Sequence, residues 1–232
     1  MGKHGQYGAL VALLLAAPAA ADCRLALALG FDVSRSVDAR DYAIMQQGLA
    51  AALRDTAVRR AALAPPDHVA LALYEWAGKD DQTLVIGWTE LRGEGDLDRL
   101  AAAVEAHGRE TAIGPTGLGA ALDYGQALLA SAPACAAQTL DIAGDGQNND
   151  GIAPDRLYAT RDFAGITVNG LPIGGHEHDI ALYYRDAVMH GPGAFVEPAP
   201  GMQDFPAAIR RKLEKELAPR LMGAASPGRL TR

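Results

Sequence analysis

Long apolar runs are scarce in this chain. The first, Ala9 to Ala17, is too short to span a bilayer as a helix, which takes roughly 20 apolar residues, and no later stretch is long enough either. Basic charge is scarce as well: 21 Lys and Arg stand against 28 Asp and Glu, a net charge of −7. Nucleic-acid binding needs clustered cations to neutralise phosphates. The one such cluster, Arg210-Arg211-Lys212, is diluted by Glu214 and Glu216, which argues against a nucleic-acid partner. A divalent cation or a cationic partner suits the balance better. Cysteine occurs twice, as Cys23 and Cys135, with no histidine near either, so a cysteine nucleophile or a zinc site has little support. There is no His-Glu-x-x-His, no Gly-x-Ser-x-Gly and no phosphate-binding P-loop. Internal repeats are absent, and no Gly-, Pro- or Ser-rich linker divides the chain.

What is present is globular composition, 49% hydrophobic and 21% charged over 232 residues, enough for one domain with a sizeable core. Lys3 and His4 precede the early apolar run, and Pro18 and Ala19-Ala20-Ala21 follow it. This reads as a signal peptide over residues 1–21, cut before Asp22. The expected location is exported, periplasmic or secreted. The expected domain covers residues 22–222, followed by a flexible tail over 223–232.

Leu25 to Phe31 is a continuous apolar run ending in Asp32, as in a central parallel strand buried on both faces. Val37 to Arg60 carries a helical stripe of Tyr42, Met45, Leu49 and Ala52. Strands are expected at His68 to Ala77 and Thr83 to Trp88, joined as an antiparallel hairpin by Gly78-Lys79-Asp80-Asp81. Helices follow at Asp96 to Ala106 and Leu118 to Ser131, then a strand at Thr139 to Ala143. Pro154 to Phe163 reads as helix, Ile166 to Ile173 as strand, Ile180 to Val188 as helix and Ala194 to Val196 as a short strand. Phe205, Ile209, Leu213 and Leu217 mark a closing helix, ended by Pro219. The sum is an α/β, doubly wound, Rossmann-like mixed sheet of six strands with one antiparallel edge strand and helices on both faces. Cys23 and Cys135 each precede a strand. If those strands are parallel neighbours, a Cys23–Cys135 bridge closes a loop of over a hundred residues, worth about 4–5 kcal/mol; the alternative is two unpaired thiols.

Ligands of such sheets collect at the carboxyl ends of the strands, where strand order reverses. Asp32-Val33-Ser34-Arg35-Ser36 falls at one such end and Gly144-Asp145-Gly146 at another. Between them Thr116-Gly117-Leu118-Gly119 turns from loop into helix. Two carboxylates and three hydroxyls are hard oxygen donors, suited to Mg²⁺ or Mn²⁺. The alternate spacing of Asp32, Ser34 and Ser36 lets one turning loop aim all three inward. Gly117 and Gly119 let the threonine loop approach closely and pack against the sheet.

Asp-x-Ser-x-Ser, Thr-x-x-Gly-x-Ala-Leu and a strand-end Asp-Gly together resemble the metal-ion-dependent adhesion site (MIDAS) of von Willebrand factor A domains. The resemblance runs from Leu25 to about Leu217. The phrase Leu140-Asp141-Ile142-Ala143-Gly144-Asp145-Gly146-Gln147-Asn148-Asn149 is similar to an exported, functionally uncharacterised bacterial branch of that superfamily. The resemblance implies that Ser34 and Ser36 bind the metal directly, Thr116 binds when a partner is engaged, and Asp32 and Asp145 act largely through water. It also implies a protein partner whose Asp or Glu carboxylate completes the metal shell, and no catalysis.

Other readings stand beside this one. Thr111-Ala112-Ile113-Gly114 also resembles the threonine loop, although no Ala-Leu pair follows at the needed distance. Ser36 or Asp38 can cap a helix, and Asp145-Gly146 can be a plain turn. Asp141 is either a buried carboxylate supporting the site or the point where its strand begins. Asp32 can be the nucleophile of a Mg²⁺-dependent haloacid-dehalogenase-type phosphatase, although Ser34 stands where that chemistry needs an acid. A third possibility is a structural exported domain with a vestigial site. His176-Glu177-His178-Asp179 is either a transition-metal cluster or a solvated loop opening a helix.

Overall fold

The computed structural model describes residues 22–109 and 114–219. The expected signal peptide, the tail over 223–232 and Thr111 lie outside the described residues.

Five strands form one sheet: β1 (Cys23–Asp32), β2 (His68–Trp76), β3 (Gln82–Leu91), β4 (Gln138–Gly144) and β5 (Ile166–Pro172), in the order β3-β2-β1-β4-β5. All neighbours are parallel except β2 and β3, which pair antiparallel across the expected hairpin. β1 and β2 are buried almost throughout, which is why their sequences read as continuous apolar runs rather than alternations. β3 lies at the edge, and most of its residues keep some solvent exposure.

The sixth expected strand, at Ala194 to Val196, does not form as a strand. The segment does run alongside β5: Gly170 N–H donates to Phe195 O, Glu197 N–H to Gly170 O, and Ala199 N–H to Pro172 O. Only isolated bridges result, at Gly170–Val196 and Ile173–Ala199. Pro172 has no N–H to give, so the ladder breaks between them.

Helices cover both faces. α1 (Ala39–Arg54), α2 (Thr56–Ala62), α3 (Glu94–Ala106) and α7 (Phe205–Leu217) enclose one core with Leu25, Leu27, Leu29 and Phe31 of β1. α4 (Leu118–Ala130), α5 (Pro154–Thr160) and α6 (Ile180–Tyr183) enclose the other with Ala26 and Ala28 of the same strand. This alternation of faces is the period of an extended chain. The single helix expected over Val37 to Arg60 is two, because Asp55 ends α1 in extended conformation and its carboxylate accepts from Ala57 N and Val58 N to start α2. After α6 the chain widens into a π-helical turn over Tyr184–Val188.

Cys23 and Cys135 are disulfide-bonded. Cys23 opens β1, and its carbonyl accepts from Ala136 N at 2.8 Å on the approach to β4. The bridge therefore fastens together the two strands whose opposite ends carry Asp32 and Asp145.

Candidate metal centre

The chain leaves β1 toward β2 on one side and enters β4 and then β5 on the other, so strand order reverses between β1 and β4. Phe31 is in register with Ala143, which sets Asp32 beside the loop that Asp145 begins. Asp32 and Asp145 are both fully buried. Asp32 Oδ1 accepts from Ser34 N at 2.8 Å and so curls the loop after β1 back on itself. Ser34 Oγ lies 3.3 Å from Ser36 Oγ, and Ser36 Oγ donates to Asp145 Oδ1 at 2.6 Å. Thr116 Oγ1 donates to Ser34 Oγ at 3.4 Å. All five side chains singled out in the sequence thus meet at the sheet rim, although Ser34 and Thr116 are 82 residues apart and Ser36 and Asp145 are 109 apart.

The cap of α1 is Asp38, whose carboxylate accepts from Arg40 N and Asp41 N, so neither serine serves that helix. Two asparagines hold the threonine loop in place. Asn149 Oδ1 accepts from Thr116 N at 2.8 Å, and Asn148 Oδ1 from Gly119 N at 3.1 Å. The glycines permit close approach, but against loops rather than the sheet. A Cβ at Gly117 would lie 2.6 Å from Gly78 C, and one at Gly119 would lie 1.9 Å from Ile152 O. The Gln147-Asn148-Asn149 run beside Asp145 was the available sign of these positioning residues.

The donor set fits a hard cation on a test independent of any family. Asp32 Oδ2 and Asp145 Oδ2 are buried and have no hydrogen-bond partner. Buried carboxylate oxygens are costly without a partner or a counter-charge. Burial first, and the neighbouring Asp145 second, push the Asp32 carboxyl up from 3.8 to about 7, against the hydrogen bond from Ser34. Among the described residues no three His, Cys, Asp or Glu cluster at a metal-binding spacing. Any cation here therefore relies on the hydroxyls of Ser34, Ser36 and Thr116 as well as on the two carboxylates.

The shift carries a pH prediction. An acid whose folded value is raised binds its proton more tightly folded than unfolded, so stability is greatest below about pH 4 and falls as pH rises toward 7. For Asp32 the loss is roughly 4 kcal/mol at about 1.4 kcal/mol per pH step. In chelator, wild type minus Asp32→Asn should show that downward slope in urea-unfolding free energy between pH 4 and 7. A flat difference would mean that Asp32 ionises freely.

Asp141 sits within β4 rather than at its start, and it is buried. Its partner is on α7: Lys212 Nζ lies 3.0 Å from Asp141 Oδ1 and 2.9 Å from Glu216 Oε1. It supports the last helix, on the opposite side of the strand from Leu140 and Ile142. Two further groups gather around the site itself. The Tyr184 hydroxyl is fully buried without a partner, and both it and Asp32 Oδ2 would lie within 3 Å of a Cβ at Gly144. His176 Nε2 lies 3.8 Å from Asp145 Oδ2. The open face above is lined by Arg35, Ser36, Thr116, Asp145, Asn149 and His176, among others.

A family model described as "Protein of unknown function (DUF1194)" matches residues 22–221. The chain belongs to the DUF1194 family. Solved structures show that this DUF1194 member has the fold of a von Willebrand factor A domain. Proximal thread matrix protein 1 from the mussel byssus, solved with a zinc-occupied MIDAS motif, is 16% identical with a TM-score of 0.61, over 85% of this chain and 47% of that one. A von Willebrand factor type A structure from Catenulispora acidiphila is 17% identical, TM-score 0.59, over 84% of this chain and 42% of that one. The PilB minor pilin from Streptococcus sanguinis is 14% identical, TM-score 0.60, over 84% and 62%. The chain spans less than half the length of the first two of these. No curated protein matches it.

Proposed function

We propose that this DUF1194 chain is an exported binding domain, not an enzyme, that holds a divalent cation at the rim between β1 and β4 and captures a protein partner there through a partner Asp or Glu carboxylate. The observation that carries the reading is the pair of buried, unpartnered carboxylate oxygens on Asp32 and Asp145, set beside three converging hydroxyls at an open edge. Ser34, Ser36 and Thr116 offer neutral oxygens, while Asp32 and Asp145 supply the negative charge. Mg²⁺ or Mn²⁺ suits so hard a set. Two carboxylates neutralise a divalent ion in total, but with Ser36 and Ser34 N already bonded to their other oxygens the site keeps affinity for a further anionic ligand. A charge-assisted contact in so dry a place makes the centre of an interface.

Fold likeness to a minor pilin and the leader-like residues 1–21 support export, and among the described residues no helix is long and apolar enough to cross a membrane. Asp32 as a phosphatase nucleophile draws no support from its surroundings. Ser34 stands where that chemistry needs a general acid and offers no carboxyl.

Calorimetric titration with Mg²⁺ and Mn²⁺ tests the metal reading. Wild type should bind with a stoichiometry of one, and Asp145→Asn should weaken binding by about 10–100-fold. Equal, negligible heats from both proteins would favour a vestigial site. Partner capture from the exported fraction should depend on the cation and disappear in chelator. Hydrolysis of phosphate esters that vanishes in Asp32→Asn would instead establish the phosphatase.

A further inference from the structure

We infer that His176 is a nitrogen donor to the same cation, and that it tilts the site away from a purely oxygen-binding preference toward Co²⁺ and Zn²⁺. The inference rests on the cation reading above and adds a ligand to it.

His176 belongs to a loop that both of its ends tie to the Asp145 loop. Before it, Ile173 N–H donates to Gly144 O at 2.9 Å. After it, Glu177 Oε2 accepts from Gln147 N at 3.2 Å. Gly144 and Gln147 bracket Asp145, so the two loops run as a pair and His176 is held over the carboxylate. Gly175, with φ at +111°, makes the turn that brings it there. Its Nε2 ends 3.8 Å from Asp145 Oδ2, the oxygen that is fully buried and has no hydrogen-bond partner.

The distance decides what the pair can do. At 3.8 Å the contact is too long for a direct hydrogen bond. Two donors each about 2.0–2.2 Å from one ion lie at most about 4.4 Å apart, so the gap is within the reach of one cation, which His176 and Asp145 would hold together. The imidazole is 54% exposed at its side chain and is therefore free to adjust, whereas Asp145 is locked in place by Ser36. Imidazole nitrogen suits zinc and cobalt and adds little to Mg²⁺, which prefers oxygen.

Calorimetry on the mature chain with Mg²⁺, Co²⁺ and Zn²⁺ tests this, using wild type, His176→Ala, His178→Ala and Asp145→Ala. His176→Ala should weaken Co²⁺ and Zn²⁺ by at least about 10-fold and leave Mg²⁺ within about twofold. The visible absorption of bound Co²⁺ should change in His176→Ala and not in His178→Ala. Four results would overturn the inference. Co²⁺ and Zn²⁺ affinity unchanged in His176→Ala, with Asp145→Ala defective, leaves the cation site standing without its histidine. Tighter binding of every cation in His176→Ala makes the imidazole a counter-ion to Asp145. Zn²⁺ binding that survives Asp145→Ala assigns the zinc to the His176–His178 loop alone. If no protein, wild type included, binds any cation, the cation reading itself falls as well.

Discussion

Removing the Cys23–Cys135 bond, by Cys23→Ala with Cys135→Ala, should lower the unfolding free energy by about 4–5 kcal/mol in the chain-entropy model. The two residues are 112 positions apart, so the bond removes a large share of the unfolded chain's freedom. Cys23 is buried where β1 begins and Cys135 is half-buried just before β4, so the double alanine also gives up the packing of one buried sulfur. Most of the effect arises in the unfolded state. Urea denaturation should therefore show a lower midpoint together with a steeper dependence on denaturant, because the unlinked chain exposes more surface. The same change should appear when the wild type is unfolded with a reductant present. A loss under about 1 kcal/mol would mean that the bridge adds nothing beyond what the sheet already holds.

Lys212→Met should cost about 3–5 kcal/mol, the loss expected when one partner of a buried ion pair is removed. Lys212 is wholly buried and bridges Asp141 of β4 to Glu216 one turn along α7. Asn169 of β5 donates to Glu216 Oε1 at 2.6 Å, so β4, β5 and α7 share one polar network. Burial opposes the Lys212 charge, yet Asp141 and Glu216 together hold its proton more firmly than usual. Burial and Glu216 push the Asp141 carboxyl well up, against the pull of Lys212. Without Lys212 the carboxyls face each other in an apolar layer. The triple variant Asp141→Leu, Lys212→Met, Glu216→Gln removes the charges and leaves Asn169 an acceptor. It should return to within about 2 kcal/mol of wild type. A triple variant as unstable as Lys212→Met alone would show that packing, not charge, holds the helix.

Much of this architecture is readable residue by residue. The apolar run from Leu25 to Phe31 announces a strand buried on both faces, and the stripe of Phe205, Ile209, Leu213 and Leu217 announces α7, because burial periodicity is written locally. The break at Asp55 was missed for the opposite reason. The apolar stripe continues through it, and only the carboxylate's hydrogen bonds to Ala57 N and Val58 N end one helix and start the next. The sixth strand failed on a single atom. Ala194 to Val196 has strand composition, but its neighbour in β5 is interrupted by Pro172, and that matters only once the register between the two is known.

The sequence by itself determined which side chains can offer oxygen to a cation and that each stands at the end of a strand or the start of a helix, since motif spacing and periodicity depend on near neighbours. Tertiary structure alone decided that β1 lies beside β4, so that Asp32 and Asp145 share one dry rim. It also decided that Asp141 pairs with Lys212 rather than with the rim, and that His176 turns toward Asp145. These are contacts between residues tens of positions apart. The order of strands in the sheet selects them, and no local pattern of residues encodes that order.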